Sequence, residues 1–251
     1  MRDFHTHILP GIDDGSRDID MTARMLAMEA DQGVTHIYAT PHFYAHRHTI
    51  PQFLERRAAS FAQVQELARA GRSAAARDAS QRAFPEVTVG AEVYYFTGIG
   101  RAAQLNELCI EGTDLLLLEM PFDQWTRDVY RDVTDVLHRQ RLRVVLAHVE
   151  RYYDLQRDKT VWDEVMALPV TVQLNAGGIL DDGHGLFHRG GTRKLCLRLL
   201  EEHDNVILGS DCHNLTDRAP NLAAARAVIE HKAGAERLAA LDAYADALLG
   251  H

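Results

Sequence analysis

The chain has 251 residues, a length that a single (β/α) barrel often fills. Hydrophobic residues make up 46% and charged residues 25%, with a net charge of −9. That balance excludes a broad basic surface for nucleic acid, and any phosphate site must be built locally from metals, arginines or helix ends.

The predicted elements alternate along the chain. A first strand is expected around Phe4. A helix over 18–32 places Met21, Met25 and Met28 on one face, and Gly33 stops it. "THIYAT" (35–40) reads as the second strand and 52–70 as the second helix. That helix runs into a small, polar stretch whose second half, 72–83, reads as a surface insertion. "EVTVGAEVY" (86–94), "DLLLLEMP" (114–121), "LRVVLAHV" (142–149), "PVTVQLNA" (169–176) and "DNVILGSD" (204–211) complete the strands. Several are continuous apolar runs, as parallel strands buried on both faces require. Helices are expected at 124–140, 158–167, 191–203 and 218–232, with a closing helix at 235–249. Seven βα-like units without repeat or linker predict one domain, residues 1–251, folded as a (β/α) barrel. A doubly wound open sheet is the competitor, and it would place its ligand near one switch point.

The cysteines and the ends of the chain bound the compartment. Cys109, Cys196 and Cys212 lie far apart and form no CxxC pair, so no disulfide framework is expected. "MRDFHTHILPGIDDG" carries no apolar leader, and no run approaches the roughly 20 apolar residues of a membrane span. The expected location is the cytoplasm, without direct membrane insertion.

Nearly every predicted strand ends in a metal-ligating residue type. The first ends in His5 and His7, two apart and so on one face, followed by Asp13 and Asp14 in "GIDDG". The second ends in His42. The third contains Glu92, the fourth ends in Glu119, the fifth in His148 with Arg151 after it, the sixth in Asn175, and the seventh in Asp211 and His213. Any one of these alone is most often a structural hydrogen-bonder. Together, at the single mouth of a parallel barrel, they bury many titratable groups, which need partners or a metal. Imidazole and carboxylate without thiolate suit Zn, Mn or Fe. About eight ligands exceed what one tetrahedral ion takes, so two or three divalent ions are expected, with Glu119 a natural bridge. Such a cluster lowers the pKa of a bound water and clamps an oxyanion, which is hydrolytic equipment. Arg151 and Arg218 can each hold a phosphate through a bidentate fork. His46, His48, His184 and His188 carry less weight, because solvated loop positions account for them.

The segments "FHTHILPGIDDGS", "GVTHIYATPHF", "GAEVYY", "LLLEMP", "LAHVERY", "QLNAGGI" and "GSDCHNLTDRAP" extend over residues 4–220. They resemble the polymerase-and-histidinol-phosphatase superfamily, and within it the bacterial manganese-dependent protein-tyrosine phosphatases of the CpsB/YwqE type. The resemblance implies a distorted (β/α)7 barrel with a metal cluster at the C-terminal mouth of its strands. It implies His5, His7, Asp14, His42, Glu119, His148, Asp211 and His213 as metal ligands, with Glu92 a ninth. It selects Asp14, where spacing alone leaves Asp13 and Asp14 open. Manganese is the implied ion, with iron and zinc compatible. Arg151 and Arg218 would bind phosphate. For the leaving oxygen, the expected help is a protonated side chain, Asp14 or a mouth histidine, or a metal-bound water. The implied substrate is phosphotyrosine on the tyrosine-rich tail of a bacterial tyrosine kinase that controls capsule or exopolysaccharide synthesis. Rival readings are a small-molecule phosphatase acting on histidinol phosphate or a sugar phosphate, another metal-dependent barrel hydrolase, and a non-catalytic metal-binding module. Oligomeric state is left open.

"GSDCHNLTDR" (209–218) also carries the Cys-x5-Arg spacing of thiol phosphatases. Such a loop needs small residues that let backbone N–H groups wrap the phosphate, and none lies between Cys212 and Arg218. A neighbouring carboxylate also disfavours a thiolate. Cys212 is therefore expected to turn away from the mouth and to pack in the wall.

Overall fold

The structure is a computed structural model and describes residues 1–78, 82–181 and 191–250. Nine strands are present among these residues: β1 (Arg2–Thr6), β2 (His36–Ala39), β3 (His42–Phe43), β4 (Glu86–Val89), β5 (Glu92–Tyr94), β6 (Leu115–Glu119), β7 (Arg143–Leu146), β8 (Thr171–Asn175) and β9 (Val206–Gly209). All their pairings are parallel. They form a sheet in the order β1-β2-β4 and a second in the order β3-β5-β6-β7-β8-β9. The expected second and third strands are each broken in two, at Thr40–Pro41 and at Gly90–Ala91, and the two halves join different sheets. The breaks are bridged by backbone bonds, Gly90 N–H to Ala39 O at 2.8 Å and Glu92 N–H to Pro41 O at 3.0 Å. At the other edge, Thr6 pairs with Cys212, and His7 N–H donates to Cys212 O at 3.0 Å.

The helices are α1 (Ile19–Asp31), α2 (Ile50–Ala75), α3 (Arg127–His138), α4 (Thr160–Met166), α5 (Ala176–Leu180), α6 (Thr192–Glu202), α7 (Leu222–Ala233) and α8 (Ala235–Leu249). Asp18 caps α1 by accepting the Met21 N–H at 2.8 Å, and Thr49 opens α2 in a capping box with Gln52. α2 runs to Ala75, beyond the expected 52–70, so the first residues of the expected insertion are helical. Residues 79–81 of that insertion lie outside the described residues. α5 was not expected from the sequence.

The central strands are buried on both faces. In β6, Leu116 and Leu118 pack towards the helices with Val144, Leu146 and Val172. Leu115 and Leu117 pack on the other side with Phe4, Tyr38, Val145 and Ile207. This is why "LLLLE" shows no polar alternation. Ala245 and Leu248 of α8 join the second cluster. α8 also bonds the starting residues of strands, Arg143 Nη1 to Leu248 O at 2.7 Å and Thr171 Oγ1 to Tyr244 Oη at 2.7 Å. α8 therefore covers the N-terminal ends of the strands and leaves the C-terminal ends free for chemistry.

Candidate metal centre

The C-terminal strand ends converge. His5 and His7 come from β1 and its exit, His42 and Glu92 are paired neighbours in β3 and β5, and Glu119 ends β6. His148 follows β7, and Asp211 and His213 follow β9. His5, His7, Glu92, His148, Asp211 and His213 are each 3% exposed or less.

Two ring orientations define the centre. His5 Nδ1 donates to Gln173 Oε1 at 3.0 Å, and His7 Nδ1 to Asp13 Oδ2 at 2.7 Å. Each ring therefore turns its Nε2 inward, where the two nitrogens stand 3.1 Å apart. Glu92 Oε2 lies 3.2 Å from His5 Nε2 and 3.3 Å from His7 Nε2, and Asp211 Oδ1 lies 3.6 and 3.4 Å from them. Four lone-pair-bearing atoms thus face one another in a buried volume. They repel unless a cation or protons sit among them. Three overlapping donor sets can hold an ion: His5, His7 and Glu92; His7, His42 and His213; and His42, Glu92 and Glu119. Among the described residues, Glu92 Oε2, Glu119 Oε2, His42 Nδ1 and His213 Nε2 are buried without a hydrogen-bond partner. His42 Nδ1 and Glu92 Oε2 are 2.8 Å apart yet misaligned for a hydrogen bond, as two ligands of one ion are. The donor set fits divalent cations.

Glu92 stands at the middle. It lies near His5, His7 and His42, and its Oε1 is 2.8 Å from His148 Nε2. Glu119, expected as the bridge, sits farther out, 3.9 Å from His42 and 3.6 Å from His148. Of the two adjacent aspartates, Asp13 is fully engaged: it orients His7, accepts the His42 N–H at 3.0 Å and accepts the Gly15 N–H at 3.0 Å. Asp14 is 69% exposed, with Oδ1 3.5 Å from His42 and 3.6 Å from His213.

The protonation pattern follows from this crowding. Burial lowers the His5 and His7 pKa values, but the carboxylates of Glu92, Asp211 and Asp13 more than offset it and raise both. Burial and the Glu92 charge push Glu119 up to about 8. Burial lowers His148 to about 4 and, with the His7 charge, His213 to about 3. Glu92 and Asp211 are held well below the usual carboxylate range by the imidazoles, against the opposing effect of burial.

A second tier holds these groups. Gln173 Oε1 accepts from His5 and also from the His148 N–H at 2.8 Å, while its Nε2 donates to Asn175 Oδ1 at 2.8 Å. Asn175 Nδ2 in turn donates to Asp211 Oδ2 at 2.7 Å. Arg151 Nη2 and Arg218 Nη2 reach the same oxygen at 3.1 and 2.8 Å. Asp211 is thus held by one oxygen and aims the other inward. The Tyr152 hydroxyl accepts the Met120 N–H at 3.0 Å and bonds His148 Nδ1 at 3.0 Å. Sequence reasoning missed Gln173 and Tyr152. The one signal for Gln173 was a polar residue inside an otherwise apolar run.

The loops are shaped for this approach. A Cβ on Gly209 would lie 2.5 Å from His5 Cβ, and one on Gly15 would lie 2.2 Å from His7 O, so glycine lets each loop close on the histidine pair. His148 (φ 32°) and Asp211 (φ 53°) adopt left-handed backbone, a strained state of about 1–3 kcal/mol each that clusters at functional sites. Asp211 and His213 therefore point inward from a bend beyond β9, not from the strand itself. Between them, Cys212 is fully buried with Sγ 3.8 Å from Glu29 Oε1. Burial and the acidic neighbours Glu29 and Asp3 push its thiol well above the usual range, which is the opposite of an activated nucleophile. A cavity of about 240 Å³ opens against Arg151, Asn175, Asp211 and Arg218. Another of about 310 Å³ opens on the His42 and Asp14 side. His46 and His48 lie in the loop after His42, while His184 and His188 lie outside the described residues.

Fold and cluster together define a parallel α/β protein with an imidazole–carboxylate centre, able to hold metal ions, at its strand ends. The chain belongs to the CpsB/CapC family of capsular polysaccharide synthesis, whose model matches residues 1–246. The tyrosine-protein phosphatase CpsB of Streptococcus agalactiae serotype III (strain NEM316) is 27% identical over 244 residues, covering 94% of this chain and 93% of that protein. The tyrosine-protein phosphatase YwqE of Bacillus subtilis (strain 168) is 26% identical over 242 residues, covering 94% and 86%. A solved structure from work on Bacillus subtilis YwqE and Streptococcus pneumoniae CpsB, described as unique metal-dependent tyrosine phosphatases, superposes with a TM-score of 0.77 at 25% identity. It covers 99% of this chain and 94% of that one. Among the described residues no helix is long and apolar enough to cross a membrane.

Proposed function

We propose that this chain is a metal-dependent protein-tyrosine phosphatase acting in capsule or exopolysaccharide synthesis. Its substrate would be phosphotyrosine on a bacterial tyrosine kinase with a tyrosine-rich tail. The observation that carries the reading is the inward convergence of His5 Nε2, His7 Nε2, Glu92 Oε2 and Asp211 Oδ1. Family membership then selects the reaction. We read β2 with β3, and β4 with β5, as two broken strands of one distorted (β/α)7 barrel, a single domain over residues 1–251. We place it in the cytoplasm, where its buried cysteines stay reduced.

In this reading His5, His7, Asp14, His42, Glu92, Glu119, His148, Asp211 and His213 hold two or three divalent ions, manganese first, with iron and zinc compatible. Glu92, which lies near His5, His7, His42 and His148, would be shared among the donor sets more than Glu119. When bound, the ions supply Lewis acidity towards the phosphoryl oxygens and a water of lowered pKa. Arg151 and Arg218 would clamp phosphoryl oxygens from the Asp211 side, where Asp211 Oδ2, itself held by Asn175, already fixes their approach. Gln173 and Asp13 hold the Nδ1–H of His5 and His7 outward, so that neither ring turns its lone pair away from the centre. The leaving phenolate, with a pKa near ~10, departs readily. Asp14, at the open side of the mouth, is our candidate for handling its proton.

The test is phosphotyrosine-peptide hydrolysis by protein stripped with chelator, then restored with Mn, Fe or Zn, alongside histidinol phosphate and a sugar phosphate. Activity lost on stripping, regained with metal and greatest on the peptide is the expected result. Peptide hydrolysis indifferent to thorough stripping overturns the metal centre. A preference for a small ester overturns the substrate.

A further inference from the structure

The cavity of about 310 Å³ beside the cluster is lined by Ile12, Asp13, Asp14, His42, Tyr44, Arg47, His48 and Arg56. It shares His42 and Asp14 with the proposed centre, on the side away from the arginines at Asp211. Tyr44 stacks on His42 with ring centres 5.2 Å apart, and the Arg47 guanidinium lies over the Tyr44 ring at 4.7 Å. Arg56 is fixed by two bonds, Nη1 to His48 Nε2 at 2.8 Å and Nη2 to Ile12 O at 3.0 Å. A guanidinium has five donors, so three on Arg56 have no protein partner among the described residues. The same holds for every donor of Arg47, and no carboxylate among the described residues pairs with either arginine. The acidic groups here are otherwise committed: Asp13 to His7, and Asp14 to the centre. In a chain of net charge −9, two guanidiniums without a carboxylate partner among the described residues, facing one cavity, form a local positive site.

We infer that this cavity is an anion subsite for the substrate peptide, taking an acidic side chain or a second phosphate that flanks the scissile phosphotyrosine. The inference rests on the phosphatase reading and adds a second anchoring point to it. The two ring spacings put the Arg47 guanidinium within about 10 Å of His42, a distance that one to three extended residues span at ~3.3 Å each. The scissile phosphate itself goes elsewhere, because Arg151 and Arg218 gather on Asp211. Tyr44 provides a flat wall between the two anionic points.

The experiment compares kcat/KM of the metal-loaded protein on phosphotyrosine peptides with neutral flanks, with Asp or Glu flanks, and with a second phosphotyrosine. Both arginines are exposed, so the expected preference for anionic flanks is modest, about five- to tenfold at low salt, and it fades at high salt. It should be carried by KM. Arg47→Gln with Arg56→Gln brings the ratio of anionic to neutral peptide close to one. Because Arg56 also braces the loop at Ile12, Arg47→Gln alone provides a second reading and lowers the ratio part-way. Arg47→Glu shifts the preference towards a lysine-flanked peptide. Comparing the two anionic arms shows whether carboxylate or phosphate is the better occupant. Equal wild-type rates on all flanks, or a preference that survives the double variant, overturn the subsite and leave the phosphatase reading intact. Failure to hydrolyse every phosphotyrosine peptide overturns that reading, and the subsite with it.

Discussion

Gln173→Ala isolates the second tier from the ligands. The Gln173 carbonyl receives two buried donors, His5 Nδ1–H at 3.0 Å and His148 N–H at 2.8 Å, and its amide supplies Asn175 at 2.8 Å. Truncation leaves two buried N–H groups without acceptors, at about 1–3 kcal/mol each. A total near 4 kcal/mol is about 8–16 °C in Tm, at ~2–4 °C per kcal/mol for a chain of this size. That loss should be present in metal-free protein. A further effect should appear only on loading. Without its acceptor the His5 ring can flip or change tautomer, and loss of such an orienting partner typically weakens metal affinity about 10- to 100-fold. Calorimetric titration with Mn, next to thermal melts of stripped and loaded protein, separates the two effects. Gln173→Glu keeps the acceptor and should recover most of the His5 orientation while losing the bond to Asn175. Metal affinity within twofold of wild type in a folded Gln173→Ala protein would refute the claim that this residue sets the ring.

Cys212→Ser should keep most phosphatase activity, whereas Asp211→Ala or His213→Ala should abolish it in a peptide assay; the reverse pattern would restore the thiol mechanism. Metal loading should release protons near neutral pH. His5 and His7 have raised pKa values and Glu119 titrates near 8 in the metal-free protein, while ligands bind deprotonated. Apparent affinity therefore climbs with pH through the range in which Glu119, pushed up to about 8, and the two histidines lose their protons. Titration heats that do not depend on the ionisation enthalpy of the buffer would contradict the proton release. Gly209→Ala forces a methyl against His5 Cβ at 2.5 Å, where the strands cannot separate freely, so both Tm and metal affinity should drop. A variant with native Tm and affinity would show the seam to be looser than its contacts imply.

The site was more legible than its supports, for a physical reason. A ligand announces itself by residue type at a strand end, and His5, His7, His42, Glu92, Glu119, His148, Asp211 and His213 do meet in one place. An orienting residue is known only by which atom it touches. Gln173 and Tyr152 are ordinary residues until β8 and the turn after β7 bring them to His5 and His148. Asp13 differs from Asp14 only in which way the loop turns, and that turn depends on Gly15 lying against His7. The strands were legible as continuous apolar runs because both faces are buried. Their breaks at Thr40–Pro41 and Gly90–Ala91 were not read, because Pro41 and Gly90 mark a weak point in a strand without showing that the pairing partner changes there. The end of α2 was misread because its small, polar residues resemble a loop, although Ala, Arg and Ser are tolerated in an exposed helix.

Strain and charge in this centre act in the same direction. His148 and Asp211 hold left-handed backbone, and Glu92, Glu119 and Asp211 crowd the same buried volume. Without cations, raised proton affinity at His5, His7 and Glu119, together with the arginines on Asp211, offsets this crowding. Metal ions bound at the proposed ligands would displace those protons, and binding to the folded state alone would stabilise it by about 4 kcal/mol at a thousandfold excess over the dissociation constant. The surrounding structure absorbs the remaining strain through a core packed on both faces of the strands, with α8 covering the end opposite the mouth. A protein arranged in this way holds its ligands in position before metal arrives. Binding would then cost little in the ordering of loops, which is the sense in which such a site is preorganised.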